Sequence, residues 1–133
     1  MDRLFLDANI LFSAAHRPTS GLKQLWAVEG AALVTSEYAI SEAERNLAEP
    51  EQRTRLEELL KQVERRPSTT LFPEQRTGVE LREKDWPILA GALEAGATHL
   101  ITGDGRDFGR YFGKSVFGVL VQTPAAYLRS GSK

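Results

Sequence analysis

Two short apolar runs, far apart in the chain, each stop at an aspartate. Leu4-Phe5-Leu6 meets Asp7, and Leu100-Ile101-Thr102-Gly103 meets Asp104. An apolar run bounded by turn residues reads as a strand buried on both faces, the kind found in parallel sheets. Such sheets bind ligands beyond the carboxyl ends of their strands. Two carboxylates delivered to that edge would meet in one crevice. Like charges a few ångströms apart repel, so a pair of this kind shares a proton or holds a cation. The pattern points to an α/β sheet with a site for a hard ion at its edge.

Strand and helix signals alternate along the rest of the chain. They predict a three-layer α/β/α domain over residues 1–129, with a mostly parallel sheet of about five strands. A flexible tail is expected over 130–133. The strands are expected at 4–7, 31–35, 69–72, 98–102 and 116–121. Helices are expected over 10–15, after Ser20, from Ser36 to about Leu47, over 51–66 and over 86–95, with a short closing turn at 125–129. Ser20 and Ser36 supply N-caps, while Pro87 opens and Gly96 closes the 86–95 helix. In the charged 51–66 stretch, Leu56, Leu59, Leu60 and Val63 form a packing stripe under a solvated face.

Composition narrows the chemistry. Of 133 residues, 41% are hydrophobic and 26% charged, which suits a globular chain rather than a disordered one. The absence of cysteine excludes disulfides and thiolate zinc sites. His16 and His99 are too few for a histidine-rich metal site. Any ion must then be held by oxygen, which favours magnesium or manganese. A net charge of −1 gives no global case for nucleic acid, although a bound divalent ion would reverse the field locally. No stretch approaches the roughly twenty apolar residues of a membrane span. Met1-Asp2-Arg3 leads straight into the first strand, which predicts no signal peptide and a cytoplasmic protein.

Four acids stand out, each with an ordinary alternative. Asp7 and Asp85 are placed to cap helices, and Asp104 begins an Asp-Gly turn. Glu42 lies mid-helix between Ala39 and Ala43, small neighbours that leave room for a carboxylate in a cleft. Together they come from four places that this topology can bring to one crevice. Without arginine partners nearby, such a set is costly unless a cation neutralises it.

At these residues the chain resembles the PIN domain family of nucleases. Residues 4–11 are similar to the family's opening strand and first acid. Ser36-Glu37-Tyr38-Ala39-Ile40-Ser41-Glu42 resembles the helix carrying the second, and Asp85 with residues 86–97 the helix that follows the third. Leu100-Ile101-Thr102-Gly103-Asp104-Gly105-Arg106-Asp107-Phe108 resembles the closing strand with the fourth. The resemblance implies that Asp7, Glu42, Asp85 and Asp104 bind Mg²⁺ or Mn²⁺, with Asp107 as an additional acid and Asn9 and Thr102 orienting the ligands. Many members carry several acids around the third position. Here Asp85 is followed by Trp86 and Pro87, so the number of ions stays open.

The implied reaction is metal-assisted hydrolysis of single-stranded RNA, leaving 5′-phosphate and 3′-hydroxyl ends. Arg106, Arg110 and Lys114 interleave with Phe108, Tyr111 and Phe112 beside Asp104. The basic residues are candidate phosphate contacts, and the aromatics are expected to pack under the sheet. The size also resembles the VapC-like toxins of bacterial toxin–antitoxin pairs, which implies a homodimer silenced by a small antitoxin. A catalytically silent PIN-like module that binds RNA or protein is the competing reading. A receiver-type signalling domain fits poorly. It needs paired acids after the first strand and a lysine after the fifth, where this chain has Gln122.

Overall fold

The computed structural model describes residues 1–131. In chain order its elements are β1 (Asp2–Leu6), α1 (Ala8–His16), β2 (Ala31–Ser36), α2 (Glu37–Asn46), α3 (Pro50–Leu60) and β3 (Val63–Arg66). There follow α4 (Trp86–Glu94), β4 (His99–Ile101), α5 (Gly105–Phe108), β5 (Ser115–Val116), β6 (Val119–Gln122) and α6 (Pro124–Gly131). Among the described residues six strands form one sheet, ordered β3-β2-β1-β4-β6-β5. All neighbours pair in parallel except β5 and β6, which form an antiparallel hairpin. The expected α/β architecture with a mostly parallel sheet is therefore what the chain adopts.

Burial explains why the central strands read as unbroken apolar runs. Leu4, Phe5, Leu6, Leu100 and Ile101 are all fully buried, because helices cover both faces of the sheet. Leu4 stands opposite Leu33 on one side and His99 on the other, which fixes β1 at the centre. Gly91 of α4 lies directly against Phe5: a Cβ there would fall 2.8 Å from the ring. Helix ends are closed by side chains. Ser36 accepts from the Ala39 N–H at 3.2 Å, and Arg55 donates to the last carbonyls of α1, those of Ala15 and His16.

The order of strands places the functional edge. From β1 the chain steps outward to β2 and β3, then crosses to β4 on the far side of β1 and continues to β6. Right-handed crossovers put α1, α2 and α3 on one face and α4 on the other. The reversal between β1 and β4 opens a crevice at their carboxyl ends, the switch point where such sheets bind ligands.

Four local expectations are corrected. The third strand is β3 rather than 69–72. The helix expected over 51–66 ends at Leu60, and Val63-Glu64-Arg65-Arg66 pairs with β2 instead. Only Val63 of that strand is buried, and its charged residues guard an open sheet edge. The strand expected at 116–121 is split: Phe117 and Gly118 both have positive φ, 50° and 87°, and turn the chain between β5 and β6. That combination is what a two-residue hairpin loop demands. The helix after Ser20 is a single 3₁₀ segment, Gly21–Ala27, with Ser20 accepting from the Leu22 N–H. At the other end, α6 extends through Ser130 to Gly131; the remainder of the expected tail, 132–133, lies outside the described residues.

Candidate metal centre

Asp7 is the first residue after β1 and caps α1, its Oδ1 accepting from the Ala8 N–H at 2.6 Å. The ordinary capping role is real, but it occupies one oxygen. Oδ2 accepts from Thr102 Oγ1 at 2.8 Å and from Asn9 Nδ2 at 3.0 Å. Asn9 Oδ1 in turn accepts from the Gly103 N–H at 2.9 Å, and Thr102 Oγ1 from the Asp104 N–H at 3.0 Å. These bonds lace the end of β1 to the loop after β4. Burial pushes the Asp7 carboxyl above its ordinary value and the Asp104 charge adds to that, while the bonds from Thr102, Ala8 and Asn9 oppose it.

Asp104 caps the short α5, its Oδ1 accepting from the N–H groups of Arg106 and Asp107, each at 3.1 Å. Neither bond uses Oδ2. Asp85 ends a 3₁₀ turn, Glu83–Asp85, that feeds α4, and it is almost fully buried. Its side chain makes no cap bond, so the capping alternative does not hold. The carboxylate turns instead toward Asp107 and Lys84. Burial, then the neighbouring Asp107, pushes Asp85 up to about 7. Asp107 is held at about 2, first by the Lys84 ammonium and then by Asp85. The two acids behave as a pair sharing one proton. Glu42 reaches the same space from α2 and pairs with Arg45 one turn on.

Asp7, Glu42, Asp85 and Asp104 all line one cleft of about 410 Å³, together with Asn9, Tyr38 and Lys84. Asp107 lines the neighbouring depression instead, yet one carboxylate oxygen from each of Asp85, Asp104 and Asp107 lies within 4.8 Å of the other two. Asp7 and Glu42 face the cleft outside that trio.

The premise that no basic partner stands nearby is corrected. Arg45 pairs with Glu42, Arg82 Nε lies 3.1 Å from Asp107 Oδ1, and Lys84 Nζ lies 2.9 Å from Asp107 Oδ2 and 3.2 Å from Asp85 Oδ1. These cations, and Tyr38, whose hydroxyl donates to the Lys84 carbonyl at 2.6 Å, were not singled out in the sequence. Two signals were available: Lys84 adjoins Asp85, and Tyr38 lies inside the Ser36–Glu42 motif.

The residues proposed to touch substrate lie beside the acids rather than among them. Arg106 and Arg110 line a shallow depression with Glu80, Arg82 and Asp107, and Arg110 pairs with Glu80 at 3.0 Å. Lys114 is exposed. Phe108 is buried and Tyr111 and Phe112 pack against the core, as expected of the aromatics. His16 stacks near Phe12 and His99 meets the edge of Tyr127; neither lines the cleft.

The donor set fits a hard divalent cation. Every anionic group offered is a carboxylate, two of them carry pKa values raised by burial, and Asp104 keeps an oxygen outside its capping bonds. Among the described residues no helix is long and apolar enough to cross a membrane.

No protein-family model matches the chain, and no curated protein matches it. Among solved structures it is similar to VapBC2 from Rickettsia felis, determined bound to a DNA fragment from its promoter. The two are 15% identical with a TM-score of 0.64, over 91% of this chain and 98% of that one. The likeness is one of fold, a mostly parallel sheet flanked by helices.

Proposed function

We propose that this chain is a metal-dependent ribonuclease that hydrolyses phosphodiester bonds of single-stranded RNA. The observation that carries the reading is the delivery of Asp7, Glu42, Asp85 and Asp104, from four separate segments, to one cleft at the switch point. Asp7, Glu42, Asp85, Asp104 and Asp107 would hold Mg²⁺ or Mn²⁺. Bound there, the ion supplies Lewis acidity, acidifying the attacking water and offsetting charge on the phosphate.

The protein's own residues do the positioning. Thr102 and Asn9 fix the rotation of the Asp7 carboxylate by bonding Oδ2, and the start of α5 fixes Asp104 through Oδ1. Arg106, Arg110 and Lys114 would meet the phosphates flanking the scissile one. The Arg110–Glu80 pair is exposed and therefore weak, so a phosphate can replace Glu80 at little cost. Water attacks phosphorus, the bond to the 3′ oxygen breaks, and the products carry 5′-phosphate and 3′-hydroxyl ends.

The likeness to a VapBC2 chain favours a place in a toxin–antitoxin pair, with the chain as the toxin, a homodimer, held inactive by a small protein partner. The side-chain cations around Asp85, Asp107 and Glu42 favour one second reading, a catalytically silent module whose acids are neutralised internally. Incubation of the full chain with end-labelled single-stranded RNA separates the two. The ribonuclease reading predicts cleavage with Mn²⁺, none with chelator, and a loss of more than about 100-fold in Asp7→Asn, beyond the usual cost of losing a residue that merely supports a ligand. Uncleaved RNA at every Mn²⁺ concentration favours the silent module.

A further inference from the structure

The cleft already contains a cation of its own. Lys84 Nζ lies 3.2 Å from Asp85 Oδ1, 3.4 Å from Asp85 Oδ2 and 2.9 Å from Asp107 Oδ2. It thus touches two of the three acids whose oxygens gather within 4.8 Å. Its main chain is tethered, because the Tyr38 hydroxyl on α2 donates to the Lys84 carbonyl at 2.6 Å. Arg82 Nε takes the other oxygen of Asp107 at 3.1 Å, so both oxygens of that carboxylate are met by cations.

The charge balance is equally specific. Asp7, Glu42, Asp85, Asp104 and Asp107 bring five carboxylates, against the three cations Arg45, Arg82 and Lys84. With all five ionised, the state that an incoming cation favours, the remainder is two negative charges, the complement of a single divalent ion. A second such ion near Asp85 and Asp107 would face an ammonium already seated there.

We propose that the Lys84 ammonium is a tethered substitute for a second divalent cation, so that the centre loads one ion. The inference rests on the reading of the cleft as a metal centre. In it, Lys84 is a positioning residue: it holds Asp85 and Asp107 in place and supplies their counter-charge without needing to be loaded from solution. It also gives a physical reason for the sparse acids around Asp85. Where a lysine fills the position, further carboxylates have no ion to hold.

The test is the stoichiometry of Mn²⁺ binding to the full chain, by isothermal titration calorimetry and by equilibrium dialysis with metal analysis. Wild type should bind one Mn²⁺ per chain, Lys84→Met and Lys84→Gln two, and Lys84→Arg, which keeps the charge, one. Paramagnetic resonance adds an independent readout. Spin-coupled Mn²⁺ pairs should appear in the two neutral variants and be absent from wild type and Lys84→Arg. Two ions in wild type, one in both neutral variants, or two in Lys84→Arg would each overturn the role of Lys84 while leaving the metal centre intact. No binding by wild type would overturn both. Both neutral variants should fold, since the Lys84 side chain is half exposed and the Tyr38 bond uses its backbone.

Discussion

The Thr102 hydroxyl donates to Asp7 Oδ2 across 2.8 Å, joining the end of β4 to the end of β1. Thr102 Oγ1 itself accepts from the Asp104 N–H at 3.0 Å, so one buried side chain orients two of the cleft's acids. In Thr102→Val the Asp7 carboxylate loses a donor and the Asp104 N–H loses its acceptor. Mn²⁺ affinity should fall by roughly 10–100-fold, as when a residue supporting a metal ligand is removed. Calorimetric titration measures this; an unchanged affinity would remove Thr102 from the site's machinery.

Asp85 gives the metal-free protein a distinctive pH dependence. Its carboxyl rises from 3.8 to about 7 in the folded chain, so between those values the folded state binds more protons than the unfolded one. Stability linked to Asp85 is complete below about 4 and is lost as pH climbs through about 7. Asp7, also raised by burial, contributes with the same sign. Asp107, lowered to about 2, acts oppositely, and its share is lost only as pH falls from 3.8 toward that value. Urea unfolding of metal-free protein should therefore show stability declining from about pH 5 to pH 8, with a shallower slope in Asp85→Asn. Mn²⁺ should reverse the trend, because it binds the ionised form. A slope unaltered by Asp85→Asn would refute the assignment.

Gly91 tests the packing beneath the site. Alanine at this position would place its Cβ 2.8 Å from Phe5, whose ring is fully buried and has nowhere to swing. Overpacking of this kind destabilises by about 1–3 kcal/mol. Chemical denaturation of Gly91→Ala should show a loss in that range, while the acids at the cleft, which do not touch Gly91, should keep their Mn²⁺ affinity at low temperature. Undiminished stability would mean that α4 can lift from the sheet.

Much of this architecture was legible because the central strands are buried on both faces and must be apolar throughout. Leu4-Phe5-Leu6 and Leu100-Ile101 announce themselves for that reason, and the aspartates beyond them mark the sheet's carboxyl edge. The edges were harder to read. Val63-Glu64-Arg65-Arg66 continues a helical charge pattern, yet its arginines pair with Glu37 and Glu94 on other elements, a tertiary fact no local period carries. Phe117-Gly118 hides a turn inside an apolar run, since a phenylalanine at positive φ is not a turn signal. Arg82 was hidden for a similar reason: it lies 25 positions before Asp107 and reaches it only through the fold.

The central claim is that the cleft's carboxylates share a divalent ion, and thermal unfolding with and without Mn²⁺ tests it most directly. At a concentration about 100-fold above Kd, one bound ion stabilises the folded state by about 2.7 kcal/mol, a rise in melting temperature on the order of 10 °C for a chain of this length. Wild type should show that rise, and Asp104→Asn, with a carboxylate removed from the group, should show little of it. An equal rise in both proteins, or none in wild type, would contradict the account.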